Sequence, residues 1–328
     1  MPSRILHTAI ALCCTITTPA IAQLLPVLGA QRAGTATAQF LKIPVGARAA
    51  AMGESFVAVA NDASALYWNP AGIVQFERHE VMVSHTEWLV DVRHQFLAGV
   101  FHLSSEDAVG ISLTSVHTDD MPVTTEVQPK GNGSFFRFSD LAIGATYARK
   151  LTPQFSAGIT VRYIEETLDV LKMRGLMVDL GTYYWMGLGT ARFSAVVSHF
   201  GNQMRPEGSY TSFSGSTVSS FQEFSPPTMF RFGFAFEPVN EELHVLTTSI
   251  QLNHPNDNSE NISLGAEYRW MNTLSLRAGY RLNVDEQDIS LGAGIATNVD
   301  VVSLMLDYGY SAFGRLGGVH RITLGVRP

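Results

Sequence analysis

Leu274 Ser275 Leu276 Arg277 Ala278 Gly279 Tyr280 Arg281 Leu282 alternates without a break: every even position is apolar and every odd one is polar or glycine. Successive side chains of a strand point to opposite faces, so this stretch has one greasy and one wet face. The rhythm carries on downstream. Ile289, Leu291, Ala293 and Ile295 oppose Ser290, Gly292 and Gly294; Val302, Leu304, Leu306 and Tyr308 oppose Ser303, Asp307 and Gly309; Ile322, Leu324 and Val326 oppose Arg321, Thr323, Gly325 and Arg327. Such runs, separated by turns, recur from about His79 to the C-terminus, which is the pattern of a transmembrane β-barrel. A soluble β-sandwich alternates too, so other features must choose between lipid and a greasy core.

Export is one of them. Arg4 precedes an apolar stretch from Ile5 to Ile16, and Pro19 Ala20 Ile21 Ala22 stands before Gln23, which reads as a cleaved secretory signal over residues 1–22. Cys13 and Cys14 fall inside it, so the mature chain is expected to form no disulfide. A lipoprotein signal is the alternative, and Leu12 stands against it where a small residue belongs. Beyond the signal no uninterrupted apolar run reaches about 18 residues, so no helical span is expected. Export without a helical anchor leaves periplasm, outer membrane or medium.

Loop lengths supply a second feature. Strands are expected near 79–88, 92–103, 107–118, 136–151, 155–169, 176–186, 189–200, 228–237, 244–253, 259–270, 273–283, 288–297, 301–311 and 318–327. That is roughly fourteen, an even number, as closure of an antiparallel barrel requires. Counted from a periplasmic start, the connections at 104–106, 152–154, 187–188, 237–243, 271–272 and 298–300 share one side, and all are short. The long ones, 119–135 and 201–227, share the other. A sandwich has no reason to sort loops by parity, whereas an outer-membrane barrel does. On the apolar register Tyr147, Tyr184, Tyr268 and Trp270 fall toward one interface and Tyr163, Tyr280, Tyr308 and Tyr310 toward the other, which reads as two aromatic belts. Ordinary enrichment of aromatics in strands is the alternative explanation of that feature.

Composition agrees with this class: the 328-residue chain is 46% hydrophobic and only 16% charged, with 28 glycines. The net charge of −7 offers no basic patch, and nucleic acid is not an expected partner. No G-x-S-x-G elbow occurs, and Phe213 Ser214 Gly215 has no histidine nearby in sequence. H-E-x-x-H and CxxC spacings are absent, and Asn256 Asp257 Asn258 lacks the glycine and distal glutamate of a calcium loop. His85 and His199 read as interfacial histidines on the apolar register or at strand ends. Asp119 Asp120 and Glu165 Glu166 read as solvated faces. No catalytic residue, metal site or cofactor is expected.

Residues 23–78 break the strand pattern. Gly46 Ala47 Arg48 Ala49 Ala50 Ala51 Met52 Gly53 is a run of small residues, and Asn69 before Pro70 can cap a short helix. From the residues alone, a plug packed in a confined lumen, a small periplasmic subdomain and a flexible leader all remain open.

Here the chain resembles a known family. The stretch Ala33 Gly34 Thr35 Ala36 Thr37 Ala38 Gln39 Phe40 Leu41 Lys42 Ile43 Pro44 Val45 Gly46 Ala47 Arg48 Ala49 Ala50 Ala51 Met52 Gly53, with Phe56 to Gly72 after it, is similar to the N-terminal signature of the PorV/PorQ family. Asn69 Pro70 Ala71 resembles an element of the related FadL channels. The resemblance implies an all-β transmembrane antiparallel barrel of about 14 strands with an N-terminal hatch in the lumen. The corresponding division is a signal at 1–22, a hatch at 23–78 and a barrel at 79–328. It also implies that Gly46, Arg48, Gly53, Asn61, Asp62, Asn69, Pro70 and Gly72 shape the hatch.

On the wet register Arg162, Glu267, Arg269, Arg277, Arg281, Asp307, Arg321 and Arg327 are expected to face the lumen. Facing lipid, each charge would cost about 2–4 kcal/mol at mid-depth. They either line a polar path or pair with one another and with the hatch. By resemblance, the expected partners besides outer-membrane lipid are exported proteins carrying the C-terminal signal of the type IX system, together with other secretion components. They would be received at the extracellular mouth by loops bearing Met121, Val123, Phe213 and Phe221. Passive transport of hydrophobic small molecules and a cargo-free membrane scaffold are the competing expectations.

Overall fold

A computed structural model describes residues 32–212 and 215–328. The expected signal at 1–22, Phe213 and Ser214 lie outside the described residues. Fourteen strands close into one antiparallel barrel. They are β1 Glu80–Glu87, β2 Arg93–His102, β3 Asp107–His117, β4 Phe138–Lys150, β5 Phe155–Leu168, β6 Leu171–Trp185 and β7 Arg192–Gly201, then β8 Met229–Asn240, β9 His244–Pro255, β10 Asn261–Trp270, β11 Leu274–Leu282, β12 Ile289–Val299, β13 Val302–Ala312 and β14 Gly318–Arg327. Each strand pairs with its sequence neighbours, and β14 returns to β1 with Leu324 opposite Val83. Closure removes the unpaired edges that an open sheet would present to lipid. No helix among the described residues is long and apolar enough to cross a membrane.

The alternation explains the wall. Leu276, Ile295, Leu306 and Ile322 are more than half exposed on the outside, where lipid would cover them, while Ser263, Ser290, Arg321 and Thr323 on the other register are buried. Tyr147, Tyr184, Tyr268 and Trp270, and at the opposite end Tyr163, Tyr280 and Tyr308, are exposed on the outer face as well.

Three local readings are corrected. The strand expected at 176–186 begins at Leu171, because Asp169 adopts a left-handed conformation (φ 54°) and turns β5 into β6 with two residues. Above the lipid its outward residues Lys172 and Arg174 pair with Glu165, so the greasy register stops there and the period no longer marks the strand. His199 is fully buried rather than interfacial. The β6–β7 register slips between Val178 and Leu180, His199 sits at φ 59°, and the bulge rotates its side chain inward beside that of Ser198. Glu166 is not a solvated face: it accepts hydrogen bonds from Thr37 Oγ1 and the Ala38 amide. A second bulge, between Phe236 and Val239, accommodates Pro238 within β8.

Among the described residues ahead of β1, those from Ala36 to Val74 pack inside the barrel. They form a 3-10 turn Gln39–Lys42, helix α1 Ala47–Ala51, helix α2 Ala65–Trp68 and a second 3-10 turn Pro70–Val74. Phe56, Leu66, Trp68 and Ile73 are fully buried; each such side chain contributes about 1.5–3 kcal/mol of apolar burial. The segment runs the length of the lumen. Thr37 meets Glu166 and Ser225 at the long-loop end, and Gln75 meets Trp185 and Ser156 at the short-turn end.

Candidate functional site

Glycines in the wall let this segment seat. Gly265, Gly279, Gly292 and Gly309, one on each of β10 to β13, face inward beneath α1. A Cβ at Gly279 would fall 1.9 Å from the Gly53 amide nitrogen, and one at Gly309 would fall 2.7 Å from the Ala47 carbonyl oxygen. Alanine-rich helix and glycine-lined wall thus meet backbone to backbone. Across the lumen the paired Gly158 and Gly181 of β5 and β6 leave room for Asn69 and Pro70. Asn69 is wholly buried and uses its whole amide: Nδ2 donates to the Val57 and Thr182 carbonyls, and Oδ1 caps the next turn at the Ala71 amide. Gly46 and Gly53 bracket α1 at φ 81° and 63°, where other residues are strained. A Cβ on Gly72 would lie 2.6 Å from the Ala60 carbonyl oxygen.

One ion network joins the segment to the wall. Arg48 grips both oxygens of Glu267 at 2.8 Å and reaches Asp62 at 2.8 Å and Asn61 at 2.7 Å. Arg277 bridges Glu267 and Asp307, each at 2.6 Å. Burial alone would lower the pKa of Arg48, but Glu267 and Asp62 reverse that and hold it above the ordinary guanidinium value. Beside this network Arg327 pairs with Glu80 at 2.7 Å and donates to the Asn61 carbonyl.

The remaining lumenal charges stand apart. Arg162 pairs with Asp179 at 2.7 Å under α2, and Arg281 pairs with Glu54 at 2.8 Å near the mouth. Arg321 makes no ion pair among the described residues; it bonds Ser311 and lies over the Trp88 ring. Arg269 likewise has no carboxylate partner among them and faces the short-turn cavity. Asp179, Glu237, which pairs with Arg192 at 2.8 Å, and Gln251, whose Oε1 accepts from the Phe56 and Val57 amides, share the inward parity and were findable by it. Glu54 lies off the strands and carried no signal.

Two cavities flank α1. The smaller, about 190 Å³, opens at the short-turn end among Arg48, Glu267, Arg269, Arg277 and Asp307. The larger, about 440 Å³, opens at the long-loop end. Phe40, Ile43, Trp88, Val92, Phe138 and Phe313 give it an apolar side, and Asn253, Asn258, Asn261, Arg231 and Arg281 a polar one. Arg231 is buried there and donates to Ser198 Oγ at 2.9 Å, with its guanidinium over the Trp68 and Tyr67 rings. Burial pushes the Tyr67 hydroxyl up to about 12, so it stays neutral and is no counter-ion.

A closed fourteen-stranded cylinder with a greasy exterior and a polar, occupied interior is an outer-membrane β-barrel. A family model described as type IX secretion system protein PorV matches residues 28–255, and the chain belongs to that family. No curated protein matches. Among solved structures the chain is similar to the CymD monoaromatic hydrocarbon channel, at 14% identity over 87% of this chain and 97% of that one, with a TM-score of 0.57. It is similar also to the toluene transporter TbuX of Ralstonia pickettii (13% identity, 86% and 97% covered, TM-score 0.57). The toluene transporter TodX of Pseudomonas putida matches at 13% identity over 86% and 97%, with a TM-score of 0.59. At such identities the likeness is one of fold.

Proposed function

We propose that this barrel serves type IX secretion by docking exported protein at its extracellular mouth while its lumen stays shut. The observation that carries the reading is α1, seated on the glycines of β10 to β13 and pinned by Arg48, between two separate cavities. Cargo that had to traverse the lumen would have to dislodge that helix; cargo held at the mouth would not. The family model points to the same system. In this reading Gly46, Arg48, Gly53, Asn61, Asp62, Asn69, Pro70 and Gly72 hold a hatch closed, and the loops over 118–137 and 202–228 make the receiving rim.

The test is affinity capture of the barrel from detergent-solubilised outer membrane. Secreted proteins are expected to co-purify and to be lost on shortening the 118–137 loop. Recovery of no secreted protein from an intact barrel refutes the reading. The apolar side of the mouth cavity favours a second reading, passive uptake of small hydrophobic compounds. Vesicles containing the barrel would then take up toluene-sized solutes faster than empty ones at equal lipid.

A further inference from the structure

We propose that the mouth cavity is a receptor for the free C-terminal carboxylate of an apolar peptide segment, with Arg231 as its anion-binding group. The inference rests on the docking reading and specifies which part of a docked chain enters the barrel. Arg231 is 3% exposed, lines the cavity and forms no ion pair among the described residues. Its other neighbours are a hydroxyl and two aromatic rings, none of which neutralises it. Of the neighbouring cations, Arg281 is matched by Glu54 and Lys42 by Asp257, and Arg321, behind the Trp88 ring, is not among the residues lining the space, so Arg231 is the unmatched cation that faces a ligand there. A buried guanidinium is stabilised by an acceptor with two oxygens, which it engages in parallel.

The walls choose the body of that ligand. Phe40, Trp88, Phe138 and Phe313 want apolar side chains against them. Gln39, Asn258 and Asn261 also line the space, and the buried Asn261 has no hydrogen-bond partner for its Nδ2 among the described residues. A peptide backbone supplies both donors and acceptors to such amides, whereas a hydrocarbon tail would bury them unpaired. A volume of about 440 Å³ lies within the ordinary range for a small-ligand pocket and holds a few terminal residues rather than a folded domain.

The test is fluorescence anisotropy on the detergent-purified full chain, using a short apolar peptide labelled at its N-terminus in free-acid and C-terminally amidated forms. The acid is expected to bind about tenfold or more tightly than the amide. Arg231→Gln should erase that difference and Arg231→Lys should retain part of it, with heat-modifiable gel migration verifying that each variant is folded. Equal binding of acid and amide, or no binding of either, overturns the inference while leaving capture of secreted proteins free to succeed through the rim loops. Decanoate binding that depends on Arg231, with no peptide binding, overturns it in favour of a lipid acid. Acid-selective binding together with failed capture would keep this site and defeat the docking reading.

Discussion

Replacing Arg48 by methionine asks whether ion pairing, beyond apolar packing, holds the lumenal segment in place. Arg48 makes two hydrogen bonds of 2.8 Å to Glu267, one of 2.8 Å to Asp62 and one of 2.7 Å to Asn61. Bonds to charged groups are worth roughly 1.5–3 kcal/mol each, but their sum overstates the net, because taking each ion out of water costs several kcal/mol. The applicable figure is that for stranding one member of a buried pair, about 3–5 kcal/mol. Glu267 would keep Arg277 at 2.6 Å, which places the loss at the low end, about 3 kcal/mol. Methionine preserves most of the stem packing beside Phe56, whose ring the guanidinium overlies at 5.2 Å. Glu267→Gln removes the opposite charge, so the double variant should be less unstable than the two single losses added together. Urea unfolding of the refolded barrel in lipid vesicles measures all four corners of this cycle. Single-variant losses that add within about 0.5 kcal/mol would refute the Arg48–Glu267 pair as the latch.

Gly279→Val should unseat α1, since even a Cβ there meets Gly53 backbone at 1.9 Å; single-channel recordings are expected to show more frequent openings than the parent, and an unchanged closed trace would contradict the seating. Leu306→Arg, on the half-exposed outer register, should lower stability by about 2–4 kcal/mol in bilayers and by less in detergent, where a thinner apolar layer lets the charge reach water; equal losses would argue that lipid does not contact this face. Val127→Cys in the long loop and Leu188→Cys in a short turn, 90% and 70% exposed, should differ in intact cells: an impermeant maleimide labels the first and spares the second unless the cells are broken.

The wall was readable because a strand repeats every two residues and lipid rewards one parity. Leu274 to Leu282 and Val302 to Tyr310 therefore announced their faces, and with them the lumenal side of Arg277 and Asp307. The rhythm failed where lipid no longer acted, at Leu171 to Gly175 above the bilayer, and where an inserted residue shifted the phase, at His199. Pairings across the lumen were a different matter. Arg48 finds Glu267 some two hundred residues away through the path of a segment whose small residues give no period, so position on the wet face was foreseeable and partner was not. Arg231 shares that inward parity, yet nothing in the sequence set it apart; like Arg269 and Arg321 it has no carboxylate partner among the described residues, and of these three it is the one that lines the mouth cavity.

The seam between the first and last strands governs when the interior can be filled. Arg327 on one side of it holds Glu80 on the other, and both reach back to Asn61 and Ala63 of the enclosed chain. A finished cylinder has no gap wide enough to admit helices and aromatic rings sideways. A segment not yet in place when the final strand zips to the first has only the ends of the cylinder to enter by, and the bonds that join Arg327 to Asn61 and Glu80 to Ala63 tie closure of the wall to seating of the segment.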